Sequence, residues 1–254
     1  MKSNYLNVKN VLVIPSYREL DTLPNLLQQL AQRQTQRDCI IISDDSEPEI
    51  QSQLVKLCNE AFKSSSATIL FSLSKKKNGR GYAVWRGIVL AVEKFPNLEQ
   101  VMECDADGSH QASDILILKN LESNSDIIIG SRYLPDSSIT GWPFSRKIFS
   151  KILNKLIPFI LDLPVSDATN GLRRYSLNSI KILSKKKPIN YGFIYLSEQA
   201  LILKRNNMKF EEIAINFVDR NSGVSSVGYN EIINSFIGLL KLTRIKRKIH
   251  ITNI

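Results

Sequence analysis

Apolar positions along the chain follow two periods. Short runs rich in Val and Ile at residues 11–14, 39–43, 68–71, 101–104 and 126–129 are predicted to be buried strands. Between them Leu23, Leu26, Leu27 and Leu30 recur at helical spacing, as do Leu54, Leu57 and Ala61, and Gly79 opens a further helix running towards Glu93. This alternation predicts an α/β fold, a mainly parallel sheet with helices on both faces. Beyond residue 140 the pattern changes to basic amphipathic helices, a strand at 210–219 and a final helix from about Asn230. No repeat or linker interrupts it, so residues 1–254 are expected to form one domain.

In open parallel sheets ligands sit beyond the carboxyl ends of the strands. The residues there are acidic: Asp44 and Asp45 after the second run, Asp105 and Asp107 after the fourth. Two carboxylates one residue apart suit Mg²⁺ or Mn²⁺, with positions left for substrate phosphates; the other reading is an acidic turn capping the next helix. Asp45 is open to a hydrogen bond from a base or ribose, or to a capping role. Lys75-Lys76-Lys77 before Gly79-Arg80-Gly81 would attract anions at a helix start, although a triple lysine is more often a solvated basic loop. Arg132, Arg146, Arg173, Arg174 and Arg220 either converge on phosphate or lie singly on the surface. His110 and His250 have no paired ligand spacing, and no Ser/His/Asp or Cys/His arrangement supports a covalent nucleophile.

Composition narrows the partners. The 254 residues are 43% hydrophobic, enough for one substantial core, and 34 Lys and Arg against 24 Asp and Glu leave a formal charge of +10 that favours an anionic partner. Aromatic residues do not interleave with the lysine runs, so nucleic acid is not expected. Cys39, Cys58 and Cys104 show no CxxC spacing, which fits a reducing compartment. No apolar run reaches the roughly 18 residues that span a bilayer, so membrane contact is expected to be peripheral.

Taken in order, the segments resemble the dolichyl- or polyprenyl-phosphate mannosyltransferases, inverting glycosyltransferases of the GT-A, Rossmann-like fold. The resemblance runs from about Val11 to Lys241, leaving 242–254 as a basic tail. It passes through Pro15-Ser16-Tyr17-Arg18-Glu19, Asp44-Asp45-x-x-Pro48, Asp105-Ala106-Asp107-x-Ser109-His110, Gly130-Ser131-Arg132-Tyr133 and Gly141-Trp142 with Arg146. It continues through Ser166-Asp167-x-Thr169, Gly171-x-Arg173, Glu198 and Phe217-Val218-Asp219-Arg220.

The resemblance implies that Pro15, Tyr17, Glu19 and Asp45 hold the nucleoside, that Asp105, Ala106 and Asp107 meet the donor phosphates, and that Asp105, Asp107 and Ser109 hold Mg²⁺ or Mn²⁺. Arg132 and Arg220 then face the diphosphate or the acceptor phosphate, and Arg146, Ser150, Asn154 and Arg173 the acceptor. The implied reaction moves mannose from GDP-mannose to a polyprenyl phosphate on the cytoplasmic membrane face, with residues 144–160 as an interfacial helix and, as in some relatives, a small membrane subunit as partner. A UDP-sugar donor such as UDP-glucose, a saccharide acceptor, or a weakly catalytic nucleotide-sugar-binding subunit are the alternatives. The chain departs from the family pattern at Ser226, where a lysine is usual, and at Arg18, Gly108 and Leu196.

Overall fold

A computed structural model describes residues 2–219 and 235–244. Arg220, Ser226, the expected start of the final helix and most of the basic tail lie outside the described residues. The strands are β1 (Asn10–Ser16), β2 (Asp38–Asp44), β3 (Thr68–Leu73), β4 (Gln100–Glu103), β5 (Ile127–Ser131), β6 (Ser138–Thr140), β7 (Arg173–Ser176), β8 (Phe210–Ala214) and β9 (Asn216–Val218). The helices are α1 (Thr22–Ala31), α2 (Pro48–Phe62), α3 (Arg80–Lys94), α4 (Ala112–Asn120), α5 (Phe144–Leu161), α6 (Leu177–Ser184) and α7 (Tyr195–Arg205). Seven strands form one sheet in the order β3-β2-β1-β4-β7-β5-β8, and β6 pairs with β9 in a small parallel sheet of their own.

The period-2 geometry of a strand explains the two cores. On β1, Val11 and Val13 point into one and Leu12 and Ile14 into the other; on β2, Cys39 and Ile41 oppose Ile40 and Ile42. Helices α3, α5, α6 and α7 close the first core, and α1, α2 and α4 close the second. Each fully buried Ile or Leu contributes about 1.5–3 kcal/mol, which explains why both faces of the sheet must be covered. Residues 235–244 are helical, with Leu239 and Leu242 in the first core and Phe236, Ile237 and Leu240 exposed. Among the described residues no helix is long and apolar enough to cross a membrane.

Two expectations change. The strand expected over 210–219 is divided at Ile215, with β8 extending the main sheet beside β5 and β9 turning away to β6. Arg173 and Arg174, read as loop or helix-start residues, lie on β7, which runs antiparallel between β4 and β5. A four-residue strand that opens with two arginines carries no apolar run to announce it. The sheet nevertheless stabilises it, because Arg174 on one face donates to the carbonyls of Leu118 (2.8 Å) and Leu121 (2.6 Å) at the end of α4. A cation there satisfies carbonyls that the helix leaves unpaired.

Helix α3 reaches its place only because Gly87 has no side chain: a Cβ there would lie 2.4 Å from Cγ1 of Val13. Val13 is branched at Cβ and fully buried on β1, so it has little room to turn. Gly87→Ala is therefore expected to destabilise the fold by about 1–3 kcal/mol in urea denaturation, and an unchanged midpoint would contradict this packing.

Candidate active site

Three strand ends meet at one edge of the sheet. At the ends of β1 and β2, Asp44 accepts from the Ser16 hydroxyl (2.7 Å) and from the Ser46 backbone N–H (2.8 Å). Asp45 accepts from the backbone N–H groups of Asn78 (2.7 Å) and Gly79 (3.1 Å) and from Nη1 of Arg86 (2.9 Å). Asp45 thus holds the chain that opens α3. It does not cap α2, the next helix in sequence, which starts at Pro48 after Glu47. Pro15 lies within β1, and the Tyr17 ring just beyond it sits 3.7 Å beneath Nζ of Lys77. Glu19 accepts from the Thr22 hydroxyl at 2.6 Å, at the start of α1. Arg18 takes a left-handed backbone (φ 61°) and pairs with Glu47, whose carboxyl falls to about 2 under that hydrogen bond. The pair is solvent-exposed and contributes little to stability.

At the end of β4 the acidic turn is held from both sides. Nε of Arg80 donates to Oδ1 of Asp105 (2.8 Å) and its Nη1 to Oε2 of Glu103 (2.9 Å), while the Tyr175 hydroxyl donates to the other Glu103 oxygen (2.5 Å). Burial opposes ionisation of Asp105, but the Arg80 guanidinium outweighs it and holds the carboxyl below the usual range. The Asp105 backbone N–H donates to Nδ1 of His110 (3.0 Å), which leaves the ring proton on Nε2 to reach Oδ1 of Asn170 (2.7 Å). Oδ1 of Asp107 accepts from the Ser109 N–H at 3.1 Å, and Gly108 between them turns at φ 76°. The Val218 N–H donates to the Ser109 carbonyl (3.1 Å), so β9 lies over this turn.

At the end of β5, Arg132 is 9% exposed and paired bidentately with Asp167, through Nε at 2.8 Å and Nη2 at 2.9 Å. Burial works against the Asp167 carboxylate, and Arg132 prevails and lowers its pKa; the charge of Asp105 in turn acts on Arg132. Arg146, in the first turn of α5, donates to Asp219 at 3.1 Å and stacks on Trp142, 4.1 Å from the ring centroid. The Ser150 hydroxyl meets that of Tyr133 at 2.6 Å.

Two residues expected at the acceptor have other partners. Asn154 is buried and ties α5 to the 168–169 loop through the Ala168 N–H (3.1 Å) and the Thr169 hydroxyl (2.9 Å). Arg173 is fully buried and donates to the carbonyls of Asn170, Leu196 and Ala168 at 2.9, 2.6 and 3.0 Å. With its charge spent on backbone dipoles, Arg173 supports the site from behind and does not face a ligand.

The oxygen set at the acidic turn fits a hard cation. Asp105 has one oxygen held by Arg80 and the other 3.9 Å from His110, and the Ser109 hydroxyl is buried without a hydrogen-bond partner among the described residues. Among the described residues no three His, Cys, Asp or Glu side chains gather to hold a metal by themselves. A cation here would take few protein ligands and would leave positions for phosphate oxygens.

With this geometry in view, the family model "Glycosyl transferase family 2" matches residues 11–182, more than half of the chain. The chain belongs to glycosyl transferase family 2. As a family 2 glycosyltransferase it is 27% identical over 215 residues to an undecaprenyl-phosphate mannosyltransferase of Micrococcus luteus, covering 85% of this chain and 86% of that protein. It is 24% identical over 225 residues to a polyprenol monophosphomannose synthase of Mycolicibacterium smegmatis, covering 88% of this chain and 83% of that one. A crystal structure of glucosyl-3-phosphoglycerate synthase from Mycobacterium tuberculosis, with Mn²⁺, UDP and glucosyl-3-phosphoglycerate, superposes with a TM-score of 0.61 at 14% identity, covering 93% of this chain and 80% of that one. The fold of this family 2 glycosyltransferase is of the GT-A type.

Sequence reading missed Arg80 and Glu103 as partners of the acidic turn. The one signal was Gly79-Arg80-Gly81 at a helix start, where Arg80 looked like part of a solvated basic loop. One glycine turns the chain just before Arg80 and another makes room for its side chain. Gly79 takes φ 89°, and a Cβ on Gly171 would lie 2.3 Å from Nη2 of Arg80 and 3.0 Å from Oδ1 of Asp105.

Arg80→Met leaves the Glu103 and Asp105 carboxylates buried together without their cation, and is expected to cost about 3–5 kcal/mol in urea denaturation. Arg80→Met combined with Glu103→Gln should recover part of that loss; a single variant as stable as the parent would contradict the pairing. Because Asp167 has a lowered folded-state pKa, its contribution is full above the unfolded value of about 3.9 and drains as pH falls towards the folded one. Asp167→Asn should therefore flatten the acid limb of the stability curve below about pH 5.

Proposed function

We propose that this glycosyltransferase moves mannose from GDP-mannose to a polyprenyl phosphate, with inversion at the anomeric carbon, on the cytoplasmic face of a membrane. The observation that carries the reading is the opposition of Asp105, at the end of β4, to Arg132, at the end of β5, close enough for each charge to act on the other. The two mannosyltransferase relatives, matched along most of their length, support the sugar and the lipid phosphate. Pro15, Tyr17, Glu19 and the Asp45-supported turn line the nucleoside side. Asp105, Asp107 and Ser109 would hold Mg²⁺ or Mn²⁺, whose charge offsets that of the departing nucleoside diphosphate.

The acceptor's phosphate monoester is already largely ionised, with a second pKa of about 6, so its oxygen attacks without a strong general base. Arg132, Arg146 and Ser150 align it on the face opposite the leaving group, which gives inversion in one displacement. Arg220 adds charge beside Asp219 in sequence. Helix α5 supports a lipid acceptor: Phe144 and Phe159 are 78% and 83% exposed, and Ile152 is exposed between Lys151 and Lys155. An apolar stripe edged with lysines suits an anionic membrane interface. A small membrane subunit fits the same face. Ser226, where the family usually has a phosphate-binding lysine, departs from a typical mannosyl donor site, and a UDP-sugar donor is the second reading.

Purified protein incubated with GDP-mannose, Mg²⁺ or Mn²⁺ and polyprenyl phosphate should form a lipid-linked mannose, and Asp107→Asn should reduce the rate by about 10²-fold or more. Normal transfer by the Asp107→Asn variant would remove the metal assignment. Consumption of UDP-glucose with GDP-mannose untouched would replace the donor.

A further inference from the structure

The chain has two tryptophans, and they are treated differently. Nε1–H of Trp85 donates to the Ser184 carbonyl at 3.2 Å. Trp142 is 8% exposed, and its Nε1 is buried with no hydrogen-bond partner among the described residues. An indole N–H can only donate, and a buried donor without an acceptor is costly enough that native proteins nearly always supply one. The surroundings of Trp142 indicate what kind of acceptor is missing.

Two guanidinium groups lie against its ring, with Cζ of Arg146 4.1 Å and Cζ of Arg132 5.5 Å from the centroid. Asp167 occupies Nε and Nη2 of Arg132, and among the described residues Nη1 makes no hydrogen bond. Helix α5 starts two residues after Trp142, and Pro143 at its cap gives the first turn no side-chain acceptor, so the positive end of the helix opens at the same place. Phe217 meets the indole edge-on at 5.3 Å and offers no acceptor of its own. The Asp219 carboxylate also lies here and accepts from Arg146; beyond it and Asp167, the polar groups named around the indole are donors or cations.

We infer that Nε1–H of Trp142 is the third donor, with Arg132 and Arg146, of an oxyanion subsite that takes a non-bridging phosphate oxygen. The inference rests on the proposed reaction for the identity of that phosphate, which belongs either to the lipid acceptor or to the terminal phosphate of the nucleoside diphosphate. A neutral N–H on a ring that two cations flank adds direction that guanidinium charge lacks, and selects an oxygen positioned in the plane of the indole.

The test uses the full chain labelled with ¹⁵N-tryptophan, whose two indole N–H signals are assigned with Trp85→Phe. Inorganic phosphate, a short-chain polyprenyl monophosphate in detergent and GDP are titrated separately. The Trp142 signal should move downfield with phosphate while that of Trp85 stays, and Trp142→Phe, which keeps an aromatic ring, should weaken the occupying ligand about tenfold. A shift and loss of affinity for the polyprenyl monophosphate alone assigns the subsite to the acceptor; the same response to GDP alone assigns it to the donor. A Trp142 signal unmoved by all three ligands, in protein that still transfers sugar, overturns the subsite and leaves the reaction standing. A signal moved by inorganic phosphate in protein that transfers no sugar supports the subsite and overturns the reaction.

Discussion

The guanidinium of Arg80 is the point on which the site depends. Glu103 ends a central strand with no exposure to solvent, and Asp105 follows two residues later. Two carboxylates so close in a medium of low dielectric would repel each other and resist ionisation. Arg80 bonds to both at once, and Tyr175 takes the remaining Glu103 oxygen. The geometry of Asp105 is therefore set by a cation planted in the first turn of α3, and α3 is in turn placed by Asp45 through the N–H groups of Asn78 and Gly79. This wall of the site is one connected unit running from β2 through α3 to β4.

A second ion pair organises the opposite wall. Arg132 and Asp167 pair in the plane of the guanidinium, and Glu212 on β8 fixes the Asp167 loop by accepting from the N–H groups of Ser166 (2.7 Å) and Asp167 (3.0 Å). Asn154 and Arg173 brace the same loop from α5 and β7. The two walls place fixed charges of opposite sign across the strand ends before any substrate arrives. Catalysis of the transfer of a charged leaving group gains most from such preorganised groups, since none of them need move as charge develops. The same placement brings the start of α5, a helix with exposed aromatic and aliphatic side chains, beside this wall.

The first five strands, the first three helices, the two-faced sheet and the acidic ends of β2 and β4 were legible in the chain because each follows from neighbours within a few residues. Alternation along β1 and β2 and the leucine spacing of α1 are local facts, and so is the step from apolar run to Asp105 and Asp107. The ordered motifs from Pro15 to Asp219 were legible for the same reason, and they carried the family. Antiparallel β7 was not, since its four residues gain their strand conformation only from β4 and β5 on either side.

The partners of the charged residues were decided by the tertiary structure alone. Arg80 meets Asp105 from 25 positions away and Gly171 from 91, separations that no local period records. Arg173 resembles a phosphate ligand in the sequence, yet three backbone carbonyls take its donors because β7 carries it into the interior. Sequence determined which residue types stand at the strand ends, because hydrophobic burial writes its period along the chain. Which of those charges face a substrate and which are neutralised within the protein depended on the order of the strands, since electrostatic pairing acts through space between segments the sheet brings together.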